Sequence, residues 1–234
     1  MPSQKVSIIT STYNRSDLLL NRCLPSLRAQ TYKNIEFVIV SDGPDKNLEI
    51  LKNEANVKYV ELGRNWGAFG GHAKLVGSYM ASGDLIGYLD DDDEFTPDHV
   101  ESLVHKQTET QADFVFSRMF GPTKEGNMVL VGDGTPGHMR IGTPMILHKR
   151  ELFQVNNWKP SLSYNDDWML VEGWIKAGCT FAYLDMVTVL LRGATIHQLH
   201  ELHPKANRPA FGQSQPILPG QTWKYVYKFS GFGK

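Results

Sequence analysis

Leu85-Ile86-Gly87-Tyr88-Leu89-Asp90-Asp91-Asp92-Asp93-Glu94-Phe95-Thr96-Pro97-Asp98 is the stretch that decides how this chain is read. Five residues of strand character, Leu85 to Leu89, run straight into four consecutive aspartates. Thr96 reads as a helix N-cap, Pro97 as the first helical position and Asp98 as part of an acidic first turn. An acidic run is ordinarily solvated surface or a capping cluster, and Asp93 and Glu94 fit that description. Asp90, Asp91 and Asp92 fit it less well, because they stand at the C-terminal end of an apolar strand, where an open α/β sheet holds its ligands. Carboxylates packed there repel one another unless a cation intervenes. Oxygen-only ligands of this kind suit Mg²⁺ or Mn²⁺, usually shared with a phosphate. The expectation is a metal–diphosphate site.

Working outward, Val6 to Thr10 and Ile35 to Val40 are short apolar runs of buried-strand type, and Val57 to Leu62 makes a third. The first is followed by Ser11-Thr12-Tyr13-Asn14-Arg15 and then by a helical pattern interrupted by Pro25, which predicts a kink or a split. The second ends at the turn Ser41-Asp42-Gly43-Pro44. A short helix over about 46–53 precedes the third strand. A glycine-rich loop, Gly63 to Gly71, leads into a helix over about 72–81, with Gly83 as a C-cap. Strands alternating with helices through about residue 110 predict a parallel sheet of βαβ units. In such a sheet the polar ends Ser11–Asn14, Ser41–Asp42 and Asp90–Asp92 fall along one edge, as a nucleotide site requires.

The second half is less regular. Phe114–Met119, Met128–Val131 and Pro144–His148 read as strands, with turns at Gly121-Pro122 and Glu125-Gly126-Asn127. Tyr164-Asn165-Asp166-Asp167-Trp168 opens an amphipathic helix to about Ala177, capped by Gly178, and Phe181–Leu191 reads as one or two closing strands. After Arg192 the chain is rich in His, Pro and Gly and reads as irregular. Within it, Trp223 to Phe229 alternates like a strand, which suits an edge strand, a partner contact or a lipid surface.

Bulk composition excludes several classes. The 234 residues allow one sizeable domain or two small ones, and 41% hydrophobic with 21% charged residues is ordinary for a folded protein. A net charge of −1 gives nucleic acid no general attraction. Two distant cysteines, Cys23 and Cys179, argue against a disulfide framework and for a reducing compartment. A polar N-terminus and the lack of any apolar run of roughly 18 residues predict a cytoplasmic protein, with a peripheral membrane contact left open. No P-loop is present, and Gly132-Asp133-Gly134-Thr135-Pro136-Gly137 lacks the helix that would make it a dinucleotide fingerprint, so it reads as a glycine turn. His197, His200 and His203 lack the spacing of a zinc helix.

Four segments together resemble glycosyltransferase family 2, of the GT-A fold. They are Ser7 to Arg15, Ile39 to Gly43, Ala81 to Asp93, and Asn165-Asp166-Asp167-Trp168, in the family's order and spacing. The resemblance spans residues 5 to about 192. It implies a mostly parallel α/β sheet flanked by helices, with a smaller mixed region on the acceptor side. One domain would cover 1–192, its donor half 1–98 and its acceptor half 99–192, with 193–234 as an extension.

The resemblance also implies roles. Ser11 and Tyr13 would line the pocket for the base, Asp42 would hydrogen-bond that base, and Lys74 would lie beside the nucleotide. Asp90 and Asp92 would be the ends of the D-x-D motif, with Asp90 and Asp91 facing ribose or metal and Asp92 the direct metal ligand. Asp167 would be the general base, with Asp166 where a glutamate is common and able to supply the helix cap. Arg192 and His197 would complete the diphosphate and metal shell. The activity implied is inverting transfer from a nucleotide-diphosphate sugar, a UDP-sugar favoured, to a carbohydrate or other hydroxyl acceptor, with Mn²⁺ or Mg²⁺. Homo-oligomer contact is left open. A sugar nucleotidyltransferase is the alternative enzyme, although Ser11-Thr12-Tyr13-Asn14 stands where it would carry a glycine-rich loop. A non-catalytic nucleotide-sugar-binding module is the other alternative.

Overall fold

The structure, a computed structural model, describes residues 3–122, 128–160 and 166–192. β1 (Val6–Thr12), β2 (Ile35–Ser41) and β3 (Val57–Glu61) are parallel, and β4 (Leu85–Tyr88) lies parallel on the other side of β1. Val6, Ile8, Ile9, Val38, Ile39 and Val40 are fully buried. Near-continuous apolar runs are what strands covered on both faces need, which is why these segments carry no polar alternation.

Beyond β4 the sheet becomes mixed. β5 (Glu94–Phe95), β6 (Phe114–Pro122), β7 (Met128–Val131), β8 (Ile146–Lys149) and β9 (Phe181–Leu190) complete the order β3-β2-β1-β4-β8-β6-β9-β5, with β7 on β6. β8 runs antiparallel to both β4 and β6, while β9 runs parallel to β6. A parallel half joined to a mixed half is the architecture expected from sequence. Gly121 and Pro122, expected to turn, instead pair with Val129 and Met128 as part of β6.

The interruption expected at Pro25 takes the form of a change of helix type. The helical run continues through Ser16–Leu18, Leu19–Cys23 and Leu24–Arg28, and its middle segment is a π turn in which the Leu24 N–H reaches back to the Leu19 carbonyl. Widening the helix by one residue just before the proline relieves the clash its ring would make with the preceding turn. Gly83 is not a cap either. The 71–80 helix ends at Met80, and a Cβ on Gly83 would lie 2.6 Å from the Ser7 nitrogen. Only glycine lets the chain pass that close to β1, where the Gly83 N–H donates to Ser7 Oγ at 2.8 Å. The helix after the aspartates begins at His99, two residues later than Pro97, because Thr96 Oγ1 donates to Asp98 Oδ1 at 2.7 Å and Asp98 takes the cap position. Gly178, with φ +86°, follows the 166–176 helix as expected. Among the described residues no helix is long and apolar enough to cross a membrane.

Candidate active site

The C-terminal ends of β1, β2 and β4 open onto one cleft of about 580 Å³. Ser11 and Tyr13 line it from β1 and its following loop, Asp42 from the end of β2, and Asp90 and Asp92 from the turn after β4. Lys74 enters from the 71–80 helix, and Asp166 and Asp167 from the first turn of the 166–176 helix.

Asp42 is buried, and its carboxylate is engaged by the glycine-rich loop. Oδ1 accepts from the Trp66 N–H at 2.9 Å, while Oδ2 accepts from the Gly67 N–H at 2.9 Å and from Asn65 Nδ2 at 3.1 Å. The loop so held is unusual. Gly67, Ala68, Phe69 and Gly70 all have positive φ, at 70°, 53°, 50° and 79°. For Ala68 and Phe69 this is costly backbone, of the kind that persists only where the surroundings impose it. Gly70 must be glycine, since a Cβ there would lie 2.5 Å from Ser11 Oγ. The result brings Gly67, Phe69 and Gly70 to the cleft wall beside Tyr13, which is 45% exposed.

The four aspartates separate by depth. Asp90 and Asp92 face the cleft; Asp93, expected as solvated surface or a cap, is wholly buried at the cleft wall; Asp91, expected to face ribose or metal, is wholly buried and absent from that wall. Its carboxylate turns beneath the strand ends to Arg15, whose Nη2 lies 2.8 Å from Oδ1. Burial pushes the Asp91 carboxyl up to about 7 against the pull of Arg15. Burial also raises Asp92, with Asp90 adding to it. Asp92 Oδ2 accepts from Arg15 Nη1 at 3.0 Å, and the Asp92 carbonyl accepts from Arg22 Nη1 at 2.9 Å.

Lys74 joins the two sides of the cleft. It is buried, its Nζ pairs with Asp90 Oδ1 at 3.0 Å, and it sits 5.3 Å over the Trp158 ring. Burial opposes its charge, but Asp90, and more weakly Asp167 and Asp91, raise it overall, so it stays an ammonium. Trp158 is held in turn by its Nε1–H donating to Tyr88 Oη at 3.3 Å, and Tyr88 Oη meets His148 Nε2 at 2.8 Å. Asp167 Oδ1 accepts from the Trp168 N–H at 2.7 Å. Burial, above all, pushes its carboxyl up to about 6, against that amide and Lys74. A base with that value is largely ionised at neutral pH yet still able to take a proton.

Arg192 stands beside the cleft: its Nε donates to Glu94 Oε2 at 2.7 Å, and its N–H donates to Asp93 Oδ1 at 2.8 Å. His197 lies outside the described residues. Arg15, Asn65 and Trp158 have no role assigned by sequence: Arg15 stands within the first strand-end motif, which is a signal, whereas Asn65 and Trp158 carry none, since only the fold brings them here.

Among the described residues no group of three or more His, Cys, Asp or Glu side chains forms a ready-made metal cage. A hard divalent ion is nonetheless satisfied by one or two carboxylates completed by phosphate oxygens and water. Asp92, with Asp90 beside it, fits that open arrangement and not a closed protein shell.

Residues 7–166 match the model of glycosyl transferase family 2. Glycosyltransferase GlyA of Streptococcus pneumoniae is 36% identical over 121 residues, covering 50% of this chain and 17% of that protein. TarS 1-349 of S. aureus, solved in complex with UDP-GlcNAc, superposes with a TM-score of 0.63 at 22% identity, over 80% of this chain and 58% of that one. The mannosyltransferase PcManGT of Pyrobaculum calidifontis, solved with GDP-Man and Mn²⁺, gives a TM-score of 0.61 at 16% identity, over 81% of this chain and 57% of that one. The chain thus corresponds to only part of each of these proteins. Strand-end signatures after β1, β2 and β4 that meet the first turn of the 166–176 helix at one cleft agree with a family match over more than half the length: this chain belongs to glycosyl transferase family 2.

Proposed function

We propose that this chain is an inverting glycosyltransferase that moves a hexose-type sugar from a nucleotide-diphosphate donor, a UDP-sugar favoured, to an acceptor hydroxyl. The observation that carries the reading is Asp167. It lies in the same cleft as Asp90 and Asp92, its carboxyl is raised by burial, and Lys74, paired with Asp90, also bears on its charge. Tyr13 and Ser11 support a base pocket at the β1 end, and Asp42 contributes by fixing the loop that walls it. The reading takes 1–192 as the transferase domain, 1–98 on the donor side and 99–192 on the acceptor side. The unpaired Cys23 and Cys179 favour a reducing, cytoplasmic setting.

Asp92, with Asp90, would hold Mn²⁺ or Mg²⁺ together with the donor diphosphate. When bound, the ion supplies positive charge to the departing diphosphate. Lys74 holds Asp90 in place and adds a cation on the same flank. Asp167 takes the proton of the acceptor hydroxyl as its oxygen bonds the anomeric carbon, and the bond from that carbon to the diphosphate breaks with its electron pair leaving on phosphate.

Asp167→Asn tests this, because asparagine still accepts from the Trp168 N–H and leaves the helix end intact. Sugar transfer from a panel of nucleotide sugars should fall by about 10²–10⁴-fold, the usual worth of a general base, with nucleotide affinity retained. In the wild type, kcat/KM should decline as pH falls through about 6, where Asp167 takes up its proton. Wild-type turnover in Asp167→Asn would refute the role.

A further inference from the structure

Asp91 and Asp92 are adjacent in sequence but differ in depth, and one guanidinium reaches both. Arg15 Nη2 lies 2.8 Å from Asp91 Oδ1, and Nη1 lies 3.0 Å from Asp92 Oδ2. Asp91 is fully buried, and the charge that faces it is the Arg15 guanidinium, with the Thr12 hydroxyl a weaker support, so the ion pair with Arg15 is its main charge compensation. A buried carboxylate without a paired cation is strongly unfavourable, which makes this end of the guanidinium an anchor. Arg15 itself lines the cleft, its side chain 47% exposed, and thus carries charge from the interior to the surface where Asp92 opens.

The Asp92 main chain is held separately, by Arg22 on its carbonyl. Arg15 therefore acts on the Asp92 side chain, orienting the carboxylate and occupying one of its oxygens. A divalent ion approaching Asp92 meets a fixed positive charge already seated on that oxygen. Two cations within a few ångströms in a partly desolvated cleft repel strongly.

We propose that Arg15 is the resident cation of the acidic turn: it positions Asp92 from its anchor on Asp91 and competes with a divalent ion for the Asp92 carboxylate. The proposal rests on the metal-assisted reading above. It makes Arg15 a positioning residue that sets the ion concentration at which the site fills. The Nη1 arm yields to the ion while Nη2 stays on Asp91, and the arm so released is a donor facing the space beside the ion. Loss of Arg15 then strengthens metal binding, whereas a merely structural residue would weaken it when removed.

The test is a titration of the full chain with Mn²⁺ alone, free ion followed by electron paramagnetic resonance, for the wild type, Arg15→Gln and Arg15→Lys. Melting curves check that each variant is folded. In Arg15→Gln the Mn²⁺ dissociation constant should fall by roughly tenfold or more, the effect of removing a unit charge next to a ligand. Arg15→Lys keeps the charge but not the planar fork that spans two carboxylates, so it should bind Mn²⁺ more tightly than wild type and less tightly than Arg15→Gln. Should Arg15→Gln not fold, Arg15→Lys carries the test. Mn²⁺ binding that is unchanged or weaker in the variants, with the wild type still binding, overturns the role of Arg15 and leaves the metal reading standing. Absence of Mn²⁺ binding in all three proteins, with UDP added as well as without, overturns both.

Discussion

Asp42→Asn separates a carboxylate that staples a loop from one that is dispensable to it. The wild-type carboxylate accepts three hydrogen bonds, from the Trp66 and Gly67 amides and from Asn65 Nδ2. An asparagine keeps one oxygen, for the Trp66 amide, and turns an NH₂ toward the two donors that Oδ2 serves. Two bonds to a charged acceptor are lost, at about 1.5–3 kcal/mol each. Part of that is returned when the loop lets go, because Ala68 and Phe69 each hold left-handed backbone at a cost of about 1–2 kcal/mol. The balance is a net loss of about 2 kcal/mol, which for a chain of this size lowers Tm by roughly 4–8 °C. Hydrogen exchange reads the same event locally: the Trp66 and Gly67 amides should exchange faster by roughly 30-fold, because the opening free energy of that loop falls by the same amount. Nucleotide affinity should weaken in parallel, since Gly67, Phe69 and Gly70 wall the cleft. An unchanged Tm together with unchanged exchange at Trp66 and Gly67 would refute the staple.

Two further outcomes follow from buried polar groups. Tyr88→Phe removes the hydroxyl between Trp158 Nε1 and His148 Nε2 and strands both, which should cost about 2–4 kcal/mol in urea unfolding; a loss below the noise would mean that the chain of bonds under Lys74 is not needed. Glu36 is buried, which opposes its charge, but bonds from Lys5, Ser7 and Ser82 outweigh burial and hold its carboxyl at about 2, below an ordinary value of 4.5. A folded-state value below the unfolded one means stability present above about 4.5 and lost as pH falls toward 2. Glu36→Gln should therefore cost up to about 3 kcal/mol near neutrality, reduced by screening of the part-exposed Lys5 and Lys58 heads, and the gap to wild type should close as pH falls through that window. Comparing the two proteins cancels the opposing contributions of His99 and His148, pushed down by burial, and of Asp91 and Asp167, pushed up by it. A constant gap from pH 7 to 2 would refute the assignment.

Much of this molecule is written in local pattern. Val6–Thr10, Ile35–Val40 and Leu85–Leu89 announce buried parallel strands because both their faces are covered, so no polar alternation interrupts them. Their polar ends announce a shared rim because parallel strands all point one way, and Ser11, Asp42, Asp90 and Asp92 do line one cleft. What pattern does not carry is direction and depth. Asp90, Asp91 and Asp92 are chemically identical and adjacent, yet the turn after β4 aims two into the cleft and one beneath it, where only the fold supplies Arg15. Pro25 gives the same lesson along the backbone: the residue demands relief, and the form of that relief, a π turn over Leu19–Cys23, is seen only in the structure. Asn65 reaches Asp42 and Trp158 reaches Lys74 across gaps that no spacing rule connects. Strand type is set by interactions among near neighbours in sequence and is legible there; the partner of a buried charge is set by which distant segments the folded sheet brings within hydrogen-bond reach, and that exists only once the chain has folded.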